Sequence, residues 1–168
     1  LNGFKAAIQD SSALPFPRLT ITSDGSTAFC MGGNVILTAQ YGSGDFYWAP
    51  VSDNNDSITV NDSGEYTLQI VDEEGCYADA DTTITVTIYN SPLAHAGRDT
   101  TICSGLNVTL GADTAVSDGI PPYTYSWFPS SDLDTVTNAH PLASPTVSTT
   151  YTLTVTDAIG CTGSDNMV

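Results

Sequence analysis

The chain is written twice. Cys30-Met-Gly-Gly-Asn-Val-Ile-Leu-Thr-Ala39 aligns with Cys103-Ser-Gly-Leu-Asn-Val-Thr-Leu-Gly-Ala112, with six of ten positions identical. Trp48-Ala-Pro50 answers Trp127-Phe-Pro129, and Tyr66-Thr-Leu-Gln-Ile-Val-Asp-Glu-Glu-Gly-Cys76 answers Tyr151-Thr-Leu-Thr-Val-Thr-Asp-Ala-Ile-Gly-Cys161. The landmarks keep one order in both halves, so any fold must be one that a unit of about 75 residues can make and repeat. The offset between copies grows from 73 to 79 to 85 residues. The second copy therefore carries two insertions between landmark blocks, where loops absorb extra length cheaply.

Within each copy the apolar period is two, as in a strand with one buried face. In the first copy it runs through Val35, Leu37 and Ala39, through Phe46 and Trp48, through Tyr66, Leu68 and Ile70, and through Ile84, Val86 and Ile88. In the second it runs through Val108, Leu110 and Ala112, through Tyr123, Tyr125 and Trp127, and through Tyr151, Leu153 and Val155. Short strands between turn signals at this spacing predict an all-β fold of two tandem β-sandwich domains. The expected boundaries are an N-terminal extension at 1–18, one sandwich at 19–90, and a second at 91–168 with an incomplete last strand. Trp48, Trp127, Tyr66 and Tyr151 are expected in the cores.

A unit of this size buries only about 60–65% of its extended-chain surface, so a covalent staple would help it. Four cysteines allow three connectivities. The duplication favours one bond per copy, Cys30–Cys76 and Cys103–Cys161, closing loops of 46 and 58 residues that are each worth about 4 kcal/mol of loop-closure entropy. None of the four has C-x-x-C spacing, and an even count in a Thr-rich chain points to disulfides in an extracellular compartment.

Nineteen acids against three bases give a formal charge of -16. Such a chain repels a phosphate backbone, so nucleic acid is not an expected partner. Sixteen of the acids are Asp, the carboxylate that hydrogen-bonds its own nearby backbone in turns. No apolar run approaches the ~18 residues of a bilayer span, and membrane insertion is not expected.

The phrases Asp99-Thr-Thr-Ile-Cys-Ser-Gly105, Pro121-Pro-Tyr-Thr-Tyr-Ser-Trp127, Ala143-Ser-Pro-Thr146 and Thr149-Thr-Tyr-Thr-Leu-Thr-Val-Thr-Asp-Ala-Ile-Gly-Cys161 resemble the immunoglobulin-like and PKD-like repeats of large secreted Bacteroidetes surface proteins. Those proteins include gliding adhesins and type IX secretion cargo. Phe29-Cys30-x-Gly-Gly, Ser57-Ile-Thr-Val60 and Ser63-Gly-Glu-Tyr66 resemble a sister class. The resemblance covers residues 19–168 and implies a cell-surface or secreted location and a structural or adhesive role. It also implies O-glycan acceptors at Ser57, Thr82, Thr100, Thr114 and Thr135. Unlike an antibody domain, this chain has its corner Tyr ten residues before the second Cys, not two.

No catalytic constellation is legible: there is no G-x-S-x-G, H-E-x-x-H or glycine-rich phosphate loop, and His95 and His140 sit in non-equivalent contexts. The chain reads as no enzyme, and it needs no cofactor unless Asp53, Asp56, Asp72 and Glu74 offer their oxygens to calcium. The aromatics could stack on a sugar, with Tyr41 or Tyr123 exposed, although their strand period suits core packing better.

Three functions compete: a rod-like surface spacer or adhesin segment, a carbohydrate-binding accessory module on a secreted enzyme, and a catalytic domain. The expected partners are neighbouring repeats or identical subunits, with surface polysaccharide for the accessory module. Leu1 to Asp10 carries Phe4, Ala6 and Ile8 on one face. It reads either as a donor strand completing the second domain of a neighbouring subunit, which would build a filament, or as the last strand of an upstream repeat.

Overall fold

The computed structural model describes residues 19–41, 44–71, 77–79 and 83–168, and among them the regular structure is all β-strand. The expected donor-strand residues Phe4, Ala6 and Ile8 lie outside the described residues, as do Asp72, Glu74, Cys76 and Thr82. The chain forms two compact units. Of the described residues, one takes in those of 19–27 and 34–87, the other Ile88–Val168 together with Ala28–Gly33.

In chain order the first eight strands are β1 (Thr20–Ser23), β2 (Ala28–Cys30), β3 (Val35–Gln40), β4 (Asp45–Ala49), β5 (Ser57–Val60), β6 (Gly64–Val71), β7 (Tyr77–Asp79) and β8 (Ile84–Tyr89). Strands β1, β3 and β5 make one antiparallel sheet, with Ile21 opposite Ala39 and Leu37 opposite Ile58. A second sheet runs β2-β8-β6-β4, with β7 also beside β6. Strand β6 is long because, besides pairing with β4, it serves two further partners: Val71 lies opposite Tyr77 of β7, and Tyr66 opposite Ile84 of β8. Most of the period-two positions are buried: Val35, Leu37 and Ala39 from one sheet, and Trp48, Tyr66, Leu68, Ile70 and Val86 from the other, whereas Phe46, Ile84 and Ile88 are only half-buried. Burying each large apolar side chain is worth about 1.5–3 kcal/mol.

The second unit holds β9 (Leu93–Ala94), β10 (Val108–Thr109), β11 (Val116–Ser117), β12 (Thr124–Phe128), β13 (Leu142–Ala143), β14 (Tyr151–Thr156) and β15 (Thr162–Met167). Its main sheet is β12-β14-β15, supplemented by the pairs β10–β13 and β9–β11. Strand β14 is central. Its Tyr151, Leu153 and Val155 form one core with Trp127, Leu110, Ala143 and Met167. Strand β15 pairs with the whole of β14, from Tyr151 opposite Met167 to Thr156 opposite Thr162. Gly163 of β15 meets the Pro92 carbonyl so closely that any Cβ there would collide with it, which is why glycine is tolerated inside this strand.

The disulfide pairing departs from the expectation of one bond per copy. Cys30 is bonded to Cys161, with a Cα separation of 5.5 Å, and Cys103 is free and exposed. The reason lies in β14 and β15. Ile102 and Ser104, on either side of Cys103, line a cleft with Tyr151 and Met167 at one end of the hairpin, whereas Cys161 adjoins Thr162 at its other end. Six residues of strand span about 20 Å, several times the ~4.4–6.8 Å between Cα atoms that a disulfide permits. The Cys30–Cys161 bond lies within the second unit, to which Ala28–Gly33 belongs.

This bond spans 131 residues of sequence. Removing it with Cys30→Ala and Cys161→Ala is expected to cost about 2–5 kcal/mol, read as a lowered urea midpoint. Cys103→Ala should leave that midpoint unchanged, whereas a loss equal to that of the double variant would support bonds within each copy.

Candidate functional site

The two tryptophans occupy one structural role twice. Trp48 and Trp127 are buried, and their indole Nε1 atoms donate to the Asn55 carbonyl at 2.9 Å and the Asn138 carbonyl at 3.0 Å. Each indole thereby closes the loop that follows its strand. The proline two residues after each Trp follows a cis peptide bond. Asn55 and Asn138 escaped sequence reading because they contribute backbone oxygens, which no side-chain pattern advertises.

The corner tyrosines are equally buried but differ in their partners. Tyr66 Oη donates to the Asp62 carbonyl at 3.0 Å, which makes it a tyrosine corner even though Cys76 follows ten residues later and not two. Tyr151 Oη is buried with no hydrogen-bond partner. The Thr149 side chain beside it sends its own proton to the Val147 carbonyl at 2.9 Å.

Aspartates hold backbone. Asp24 accepts from Ile36 N, Asp99 from Val168 N, Asp134 from Leu142 N and Asp165 from Ala96 N. Asp157 is buried and accepts from Ile159 N and Cys161 N through one oxygen and from Ile120 N through the other. Burial alone would raise its pKa, but the N–H groups of Ile120, Cys161, Ile159 and Gly160 outweigh burial and hold it below 3.8. Of the residues considered for calcium, Asp53 accepts from Asn55 N and Nδ2, and Asp56 accepts from the Ser57 hydroxyl. The described residues hold no group of three or more His, Cys, Asp or Glu placed to bind a metal.

The remaining candidates are dispersed. Thr100 and Thr114 are exposed, and Ser57 and Thr135 half-buried. Tyr123 packs against the core and donates to the Asp118 carbonyl at 2.8 Å; Tyr41 is half-buried. Among the described residues the exposed aromatics are instead Phe128, 74% exposed, and Tyr47. His95 Nε2 is bonded to Ser117 Oγ at 2.9 Å and His140 Nε2 to the Ala112 carbonyl.

A cleft of about 440 Å³ opens at the end of the second unit. It is lined by Asp99–Ile102, Ser104, Pro145–Thr149, Tyr151 and the end of β15. Leu106 and Val147, beside Cys103 and on the cleft wall respectively, are largely exposed. This cleft brings the unpartnered phenol and the segment carrying the free thiol to one end of the unit.

Two outcomes follow from these partners. Tyr66→Phe should lose about 1 kcal/mol of stability, while Tyr151→Phe should cost nothing or stabilise, as read from paired urea melts. For Asp157, whose folded pKa is depressed, the stabilisation is complete above the unfolded value and is lost as pH falls through the folded one. Wild-type protein should therefore lose melting temperature below about pH 4 more steeply than Asp157→Asn. Parallel acid profiles would remove Asp157 as the cause.

No family model and no curated protein matches the sequence. Among solved structures, the chain is similar to the N-terminal eight immunoglobulin domains of Down syndrome cell adhesion molecule, at 16% identity and TM-score 0.58 over 91% of this chain and 28% of that one. It is also similar to the C-terminal 282-residue fragment of intimin in complex with the intimin-binding domain of the translocated intimin receptor, at 11% identity and TM-score 0.51 over 89% of this chain and 63% of that one. The chain thus spans less than two thirds of either structure, and what the likeness shows is the fold: tandem immunoglobulin-like β-sandwiches.

Proposed function

We propose that this chain is a non-catalytic structural or adhesive segment of an extracellular bacterial protein, built from immunoglobulin-like repeats of the gliding-adhesin and type IX secretion-cargo type. The domains are a sandwich at 19–90 and a second at 91–168, preceded by the extension 1–18. The observation that carries this reading is the Cys30–Cys161 disulfide. It needs an oxidising compartment to persist, and it ties the first cysteine of one copy to the second cysteine of the other. Such a bond limits how much chain a segment under tension can pay out. In this reading Phe4, Ala6 and Ile8 would serve as a donor strand and extend the same role to self-assembly with identical subunits.

Single-molecule pulling tests the reading. Oxidised protein should resist force as a folded body and release only the chain outside Cys30–Cys161. After reduction the released length should grow by roughly 450 Å, at about 3.5 Å per residue. Extension without a resolvable unfolding event would sink the spacer role. The rival accessory module is tested on insoluble polysaccharides: saturable retention abolished by Phe128→Ala would favour it instead.

A further inference from the structure

The last strands of the two copies differ in length. In the first copy Tyr66 of β6 lies opposite Ile84 of β8; in the second Tyr151 of β14 lies opposite Met167 of β15. Since Tyr66 and Tyr151 are counterparts, Met167 stands where Ile84 does, and Val168 where Thr85 does. Val86, Thr87, Ile88 and Tyr89 have no counterpart in the 168 residues. Their role in the first copy is plain. Val86 is 1% exposed, and β8 lies between β2 and β6 in the sheet. Thr87 N donates to Thr27 O at 2.8 Å and Met31 N to Tyr89 O at 2.9 Å, so β8 runs parallel to the chain through β2.

The second copy keeps the neighbours of that strand. Thr100 to Ser104 correspond to Thr27 to Met31, and Thr100 N donates to Val168 O at 2.8 Å, the first step of the same ladder. Beyond it lies the cleft of about 440 Å³, with Thr100, Ile102 and Ser104 on one wall and Pro145 to Thr149 on the other. Its floor is apolar, formed by Val108, Leu110, Tyr151 and Met167. The Ser104 hydroxyl, which donates to Thr146 O at 3.3 Å, closes the far end. From Thr100 to Ser104 a strand advances about 13 Å, the length of the four residues Val86 to Tyr89. The cleft thus has the walls, the floor and the length of the bed that β8 occupies in the first copy.

We infer that this cleft is the acceptor for Leu1–Asp10 of a second molecule of this chain, which lies in it as a strand parallel to Thr100–Ser104 with Phe4, Ala6 and Ile8 on the apolar floor. The inference deepens the proposed self-assembly and rests on it. Two properties single out that segment. Phe4, Ala6 and Ile8 repeat the alternation of Ile84, Val86 and Ile88, which sends every second side chain of a strand to the same face. Charge selects it as well: Lys5 and Arg18 against Asp10 give residues 1–18 a formal charge of +1, whereas residues 88–168 hold seven Asp against Arg98 alone. The second unit therefore attracts this segment and repels the acidic remainder of a neighbouring molecule. Donor and acceptor lie on different parts of the chain, so the contact is head-to-tail and its repetition builds a filament.

The test uses the full chain and a synthetic Leu1–Asp10 peptide with a photoreactive phenylalanine at position 4. Wild-type protein should sediment as oligomers that grow with concentration, and Phe4→Asp as a monomer with an unchanged urea midpoint. The peptide should bind the Phe4→Asp chain saturably at one site, and irradiation should link it to residues lining the cleft. Val147→Glu, at a wall position 73% exposed, should fold normally and weaken peptide binding at least tenfold. Four results would each overturn the inference: no peptide binding to the Phe4→Asp chain, links that fall outside the cleft, binding unaffected by Val147→Glu, or a monomeric wild-type chain whose own N-terminus excludes the peptide. Native material is cross-linked in parallel, and a cleft filled there by residues following Val168 overturns it too. A monomer that still resists force in the pulling experiment removes strand donation and leaves the spacer role standing.

Discussion

Backbone N–H groups shielded from water must find acceptors, and the second unit has little sheet with which to provide them. Strands β9, β10, β11 and β13 have two residues each, so much of the connecting backbone has no ladder. Carboxylates supply the difference. Asp99, Asp134, Asp157 and Asp165 each accept from a backbone N–H in a loop or at a strand edge. A charged acceptor makes a stronger hydrogen bond than a neutral one, and Asp is short enough to reach without ordering a long side chain. Part of the acidic composition is therefore a requirement of the fold, and the same economy explains why Asp53 is committed to its own loop.

The disulfide solves a different problem. Each copy is small, and its buried apolar residues are mostly single strand positions. By joining Cys30 to Cys161, the chain closes a far longer loop than a bond inside one copy would. It also anchors the Asp157–Cys161 turn, whose backbone is already held by the Asp157 carboxylate. Covalent and electrostatic restraints thus meet at one turn, and the Gly163–Pro92 contact follows immediately after it.

The two copies show how one pattern tolerates different local solutions. Trp48 and Trp127 make the same indole-to-carbonyl bond although the intervening loops differ in length. Tyr66 and Tyr151 both reach the core, yet only Tyr66 completes its corner. Core position follows from the strand period, which both copies share. Hydrogen-bond closure follows from the path of the loop before the tyrosine, where Asp62 is replaced by Val147 and the Thr149 hydroxyl has already claimed the carbonyl.

By itself the sequence determined the all-β fold, the alternation that buries Val35, Leu37, Tyr66, Leu68, Leu153 and Val155, and the equivalence of the tryptophans. These are local or periodic properties, and a period of two leaves a strand one face to bury. The tertiary structure alone decided which cysteines meet, because a disulfide depends on Cα atoms approaching within a few ångströms and repeat symmetry is satisfied equally by a bond inside a copy and a bond stepping between copies. It alone decided which aspartates serve which amides, as with Asp165 and Ala96, 69 residues apart. It also decided that a cleft, an unpartnered phenol and a free thiol share one end of the second unit, since residues from four separate stretches of chain must converge before such a place exists.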